Sequence, residues 1–103
     1  MPEPTVWIIN RSSHDYSAAM RFGKLEFLSE GTINKFNVND MDRQFRERLA
    51  DSSPNDYLLL TSLTVMSAIA TVVFVEKHGK LNLLLFRSGD YIERRLSYCG
   101  SKS

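Results

Sequence analysis

Three hydrophobic patterns run along this chain, and each predicts a different kind of element. Apolar runs without alternation stand at 6–10 (VWIIN), 56–60 (DYLLL) and 81–87 (LNLLLFR), as expected of strands covered on both faces. Alternating runs at 24–29 (KLEFLS) and 91–96 (YIERRL) predict strands with one wetter face. In the first of these, Leu25 and Phe27 share one side, and Lys24, Glu26 and Leu28 share the other. Helical spacing appears at Met41, Phe45 and Leu49. Asn39 serves as the expected N-cap, Asp40 and Asp42 suit the positive end of the helix dipole, and Asp42 stands four residues before Arg46 on a solvated outer face.

The longest uncharged stretch, between Asp56 and Glu76, needs separate treatment because its nineteen residues approach the roughly 20 that cross a bilayer as a helix. Thr61, Ser62, Thr64, Ser67 and Thr71 dilute it, and its front half reads as a buried strand ending in hydroxyl-bearing turn residues. Its back half carries its own helix signals: Thr64 as N-cap, Lys77 and His78 in the last turn, and Gly79 to terminate. Strand, turn and helix are therefore expected here, and no membrane span. The helix is apolar all round, from Val65 and Met66 to Val75, with only small Ser67, Ala68, Ala70 and Thr71 between. A domain of this size covers one side of such a helix, so the pattern predicts a homodimer or higher homo-oligomer through 65–75.

Turn signals complete the order. Ser13 or Asp15 caps a short helix through Tyr16, Ala18, Ala19 and Met20, which Gly23 ends; 30–39 is a loop; Ser52, Ser53 and Pro54 end the second helix. Ser88, Gly89 and Asp90 turn one strand back on the next, and 97–103 is expected to fray. The order β-α-β-α-β-α-β-β predicts an α/β domain, either three-layer or Rossmann-like. Its mixed sheet would hold about five strands, with 6–10 central and a C-terminal antiparallel hairpin at the edge.

Composition narrows the classes. At 103 residues the chain makes one domain, and 43% hydrophobic with 24% charged residues is ordinary for a packed one. A formal net charge of +1 gives no global support for nucleic-acid binding. Cys99 is the single cysteine, so no internal disulfide is possible, and without a Cys/His cluster neither a metal site nor a cofactor is expected. Lacking a basic segment ahead of a long apolar run at the N-terminus, the chain is expected to be cytoplasmic. Neither a Gly-rich dinucleotide fingerprint nor a GxxxxGK[ST] loop is present.

The polar chemistry concentrates in two places. One is Asn10, Arg11, Ser12, Ser13, His14, Asp15, Tyr16 and Ser17 after the first strand; the other is Thr61, Ser62 and Thr64 after the third. In open α/β sheets, ligands bind beyond the carboxyl ends of strands. Both segments lead into helix starts, whose unpaired N–H groups favour an anion. If the two strands are neighbours, the segments face each other. The expected ligand is a nucleotide or another phosphate-bearing anion, contacted by Asn10, Arg11, Ser12, Ser13, Ser62 and Thr64. The same hydroxyls and Asp15 equally suit simple capping.

Two other classes compete. A protein-interaction or inhibitor module would use the apolar helix or the hairpin edge; the small size and lack of a catalytic signature are compatible with an accessory protein of a phage or mobile element. A phosphodiester-cleaving enzyme would use His14 as acid or base, the one side chain near neutral pKa among neighbours of catalytic type, with Arg11 steadying the developing charge.

Overall fold

Five strands form one mixed sheet in the computed structural model of the protein, which describes residues 3–10, 15–29, 37–60 and 64–97. The strands are β1 (Thr5–Ile8), β2 (Lys24–Phe27), β3 (Tyr57–Leu59), β4 (Lys80–Arg87) and β5 (Asp90–Ser97). The helices are α1 (Val38–Arg48) and α2 (Thr64–His78), with short 3-10 helices at Ser17–Phe22 and Leu49–Asp51. In space the strands run β2-β1-β3-β4-β5. The first four are parallel, and β5 returns antiparallel to β4. The α/β fold and its hairpin are thus as the hydrophobic pattern predicts, with β1 inside and β5 outermost.

Because side chains alternate across a strand, β1 supplies both cores. Trp7 and Ile9 face α1 and α2, packing with Met41, Phe45, Met66 and Phe74; Val6 and Ile8 face the 3-10 helix Ser17–Phe22 together with Tyr16 and Ala19. The chain moves from β1 to β2 in one direction and from β2 through β3 to β4 in the other. Crossovers of one hand that travel in opposite directions cover opposite faces, which gives the three layers. Phe45 and Leu49 are fully buried. Burying a side chain of that size contributes roughly 1.5–3 kcal/mol.

Local details depart from the pattern by a residue or two. α1 starts at Val38 with Asn37 as its cap, whose side chain accepts from the Asp40 N–H at 3.3 Å, in place of Asn39. Asp42 does pair with Arg46, at 2.9 Å, and Arg46 also reaches Glu76 of α2 at 2.9 Å, so one guanidinium ties the two helices. Leu28 keeps the side that alternation gives it, opposite Leu25 and Phe27, but that side is packed there, and Leu28 is buried in the helix-side core. β2 has ended at Phe27, yet the Leu28 N–H still donates to the Ile8 carbonyl at 2.8 Å, so the pleat carries on to it.

Glycines close the elements for tertiary as well as local reasons. Gly79 adopts φ 73° and its N–H returns to the Val75 carbonyl at 2.8 Å, ending α2 as expected. Gly23 ends the 3-10 helix where a Cβ would stand 2.1 Å from the Pro4 carbonyl oxygen, so the close approach of two backbones requires it. Ser88 and Gly89, both at positive φ, form the two-residue turn whose twist suits a hairpin. No helix among the described residues is long and apolar enough to cross a membrane.

Candidate functional site

The two ends of the sheet differ in how well their polar groups are satisfied. At the incoming end, Asp56 is 4% exposed and takes donors from three directions. Its Oδ1 accepts from the Thr5 N–H at 2.9 Å, and its Oδ2 from Trp7 Nε1 and the Ser53 N–H, both at 2.9 Å. Asn82, also buried, donates its amide to the Pro54 and Asp56 carbonyls at 2.8 and 2.9 Å. This end is a closed network that stitches β1, β3 and β4 together. A polar depression of about 260 Å³ beside it holds Lys24, Glu26 and Arg48, whose charges answer one another at 3.7 and 4.0 Å.

The outgoing end is where the sequence places its ligand. β1 and β3 lie side by side, with Ile8 opposite Leu59, so the segments that follow them leave from adjacent points. The connection after β1 crosses to the 3-10 helix on one face, and the connection after β3 enters α2 on the other. This is a topological switch point, the position where open α/β sheets form a crevice. Of the residues expected there, Asn10 is half-buried with its Oδ1 2.9 Å from Ser29 Oγ. Ser29 shares its one proton between that oxygen and the Ile9 carbonyl at 2.7 Å. Thr64 is the first residue of α2. Arg11, Ser12, Ser13, His14 and Ser62 lie outside the described residues, as do the side chain of Thr64 and Cys99.

The register adds a residue that the sequence does not single out. Leu59 is opposite Leu84, and β4 continues past it; Phe86, two residues further, pairs with Tyr91 of β5. Counting two residues on from the row Ile8, Leu59 and Leu84, Phe86 and Tyr91 stand about level with Asn10. Tyr91 is 2% exposed, and its hydroxyl has no hydrogen-bond partner among the described residues. A buried polar atom left unpaired costs roughly 1–3 kcal/mol. Burial pushes its pKa above the ordinary tyrosine value, and neighbouring Tyr16 and Asp15 push the same way. Asp15 itself accepts from the Ser17 N–H at 2.9 Å, while the N-cap position of the 3-10 helix falls to Tyr16 in place of Ser13 or Asp15.

The hairpin tip is held over this region from the 3-10 helix. Arg21 donates to Asp90 Oδ2 and to the Tyr91 carbonyl, each at 3.0 Å. The Tyr91 N–H donates back to Asp90 at 2.8 Å, and this bond, with Arg21, holds the Asp90 carboxyl below its usual pKa. Neither Asp90 nor Tyr91 carries a recognisable motif. What the sequence does offer is the short SerGly turn, which fixes the hairpin register and with it the level of Tyr91. Among the described residues no group of His, Cys, Asp and Glu is placed to hold a metal ion.

Residues 4–97 match the model of one protein family, described as Phage Pam3 gp32-like protein. No curated protein and no solved structure matches the chain.

Proposed function

The chain belongs to the phage Pam3 gp32-like family, and from that membership we propose that it is a phage accessory protein and, from its fold alone, that it binds a nucleotide or similar phosphate-bearing ligand at the outgoing end of its sheet. The observation that carries this reading is the adjacency of β1 and β3, whose outgoing connections leave to opposite faces. The start of α2 gives the crevice N–H groups and the positive end of a 15-residue helix, suited to phosphate. Asn10, half-buried just beyond β1, adds a hydrogen-bonding side chain at the same end of the sheet.

Thermal unfolding with a panel of nucleotides, sugar phosphates and inorganic phosphate tests the proposal. A ligand at ten times its Kd stabilises the folded state by about 1.4 kcal/mol. For a domain of this size, that raises the midpoint by roughly 5–10 °C. Arg11→Ala and Ser62→Ala are expected to lose the shift, and a panel without any shift overturns the proposal. Turnover of a phosphodiester that His14→Ala abolishes and Cys99→Ala spares would move the protein to the enzymatic class.

A second reading, a protein-interaction module, is favoured by Leu85 and Leu96. They are 40% and 46% exposed on the helix-side face of the hairpin, Leu96 opposite Leu81 and Leu85 opposite Ile92. Capture of a protein partner that Leu96→Lys abolishes, with no shift from the ligand panel, would establish it in place of the first.

A further inference from the structure

We propose that the outer edge of β5 takes the β5 of a second copy of this chain, antiparallel about a two-fold axis at Arg94, joining two five-stranded sheets into one. The contact is independent of the ligand site proposed above. β5 spans eight residues and is the last strand of the sheet, so one side of it pairs with β4 and no strand among the described residues pairs with the other. A long edge of unpaired N–H and C=O groups is a template for another strand. The turn at Ser88 and Gly89 sets which groups those are. Arg87 and Asp90 close it as a hydrogen-bonded pair, so even-numbered residues of β5 aim their backbone at β4 and odd-numbered ones aim it outward. The outward Glu93 carbonyl accepts an exposed hydrogen bond from Arg94 Nη1 at 2.9 Å.

Side-chain chemistry selects one register. A two-fold axis normal to the sheet keeps each face on its own side, and opposed residues share a face, so the paired positions must both be odd or both be even. Arg94 opposite itself sets Glu93 against the partner's Arg95 and Ile92 against the partner's Leu96, each twice by symmetry. A shift one way opposes Glu93 to itself and Ile92 to Arg94; a shift the other way opposes Arg95 to itself and Leu96 to Arg94. Only the register centred on Arg94 matches apolar with apolar and acid with base. Its one like-charged pair is Arg94 on itself, an exposed position. On the helix-side face this extends rows that otherwise end in water. Leu85 and Leu96 are 40% and 46% exposed, and across the joined sheet Leu85, Ile92, the partner's Leu96 and the partner's Leu81 make one apolar row. On the other face Glu93 and Arg95, already an ion pair within the strand, each gain an opposite charge.

Cross-linking reads the register directly. With Cys99→Ser removing the single native thiol, Arg94→Cys sets two thiols on opposed residues whose Cα separation of about 4.5 Å lies in the range a disulfide spans. Mild oxidation should link this variant as a dimer. Glu93→Cys and Arg95→Cys stand diagonally from their own copies, about 7–8 Å apart, and should not link. Sedimentation of the native chain at about 100 µM, a concentration suited to a small interface, should show a dimer. Leu96→Lys spoils two symmetric apolar pairs and should weaken it roughly two- to thirtyfold. Arg95→Glu turns two attractions into repulsions and should weaken it as far or further. Adding Glu93→Arg to that variant should restore the dimer, a recovery that a merely structural role of Arg95 would not give. A monomeric native chain at that concentration, or linkage at 93 or 95 in place of 94, overturns the proposal. So does a dimer in which Arg94→Cys stays unlinked, which would be held elsewhere, as through α2. Capture of a different protein on this edge by a native chain that is itself monomeric gives the edge to that partner and also overturns it.

Discussion

Two buried polar side chains at opposite ends of the sheet have opposite physical status. Asp56 has its oxygens filled by the Thr5 N–H, Trp7 Nε1 and the Ser53 N–H, and such a group stabilises. Tyr91 has a hydroxyl that nothing among the described residues answers, and such a group costs stability unless something else meets it. Asp56→Asn tests the first status. The new amide donor would point at groups that are themselves donors, so the variant should lose about 2 kcal/mol, and Asp56→Ala should lose about 3 kcal/mol because it leaves buried N–H groups without acceptors. Denaturant unfolding measures both, with an unchanged slope confirming that the folded and unfolded states keep their compactness. Neither residue is conspicuous in the sequence. Asp56 reads there only as the first residue of a strand, because its partners Thr5 and Trp7 lie some fifty positions away and only the pairing of β1 with β3 brings them near.

At the scale of elements, helix ends govern the pH response. His78 closes α2, with its ring edge-on to Phe74 at 4.6 Å and its Nε2 2.8 Å from Ser52 Oγ. Ser52 spends its proton on the Leu49 carbonyl at 2.6 Å, so its oxygen accepts from an Nε2–H. The contact ties the end of α2 to the turn after α1. Burial pushes the His78 pKa below its ordinary value, Lys77 and Lys80 push it the same way, and Asp56 opposes them. A depressed pKa in the folded state favours the neutral ring. Its contribution is therefore complete above the unfolded value of about 6.5 and is lost as pH falls through the lower folded value. Midpoints measured from pH 7.5 to 5.5 should fall for the wild type, and His78→Gln should flatten that part of the profile. The sequence places His78 in the last turn of α2; its bond to Ser52 joins it to a residue 26 positions earlier in the chain.

For the whole molecule, the open question of shape is what covers α2. Met66, Ala70, Val73 and Phe74 are buried against the sheet and α1, whereas Val65 is 40% and Val72 52% exposed on the other side. The sequence pattern expects a second copy on that face. Sedimentation velocity at micromolar concentration checks it: Val72→Lys should fold normally, because Val72 is half in water already, and should dissociate the oligomer. A monomeric wild type removes the expectation. The same scale explains why Leu28 is buried on the face that carries Lys24 and Glu26. It lies just past the end of β2, where the helix-side core reaches it, so that face is wet at one end of the strand and packed at the other.

Taken alone, the sequence determined what depends on local periodicity and on short-range stereochemistry. That covers the kinds of elements and their order, the central place of β1, the hairpin with its SerGly turn, and the glycine that closes α2. Each rests on residues within a few positions of one another, where hydrophobic spacing and allowed backbone angles leave few choices. Tertiary structure decided what depends on which strands become neighbours. Pairing of β1 with β3 set the two outgoing segments side by side, buried Asp56 beneath Trp7, and, through the register of β4, raised Phe86 and Tyr91 to the level of the crevice. Such contacts join residues tens of positions apart, and no spacing rule along the chain records them.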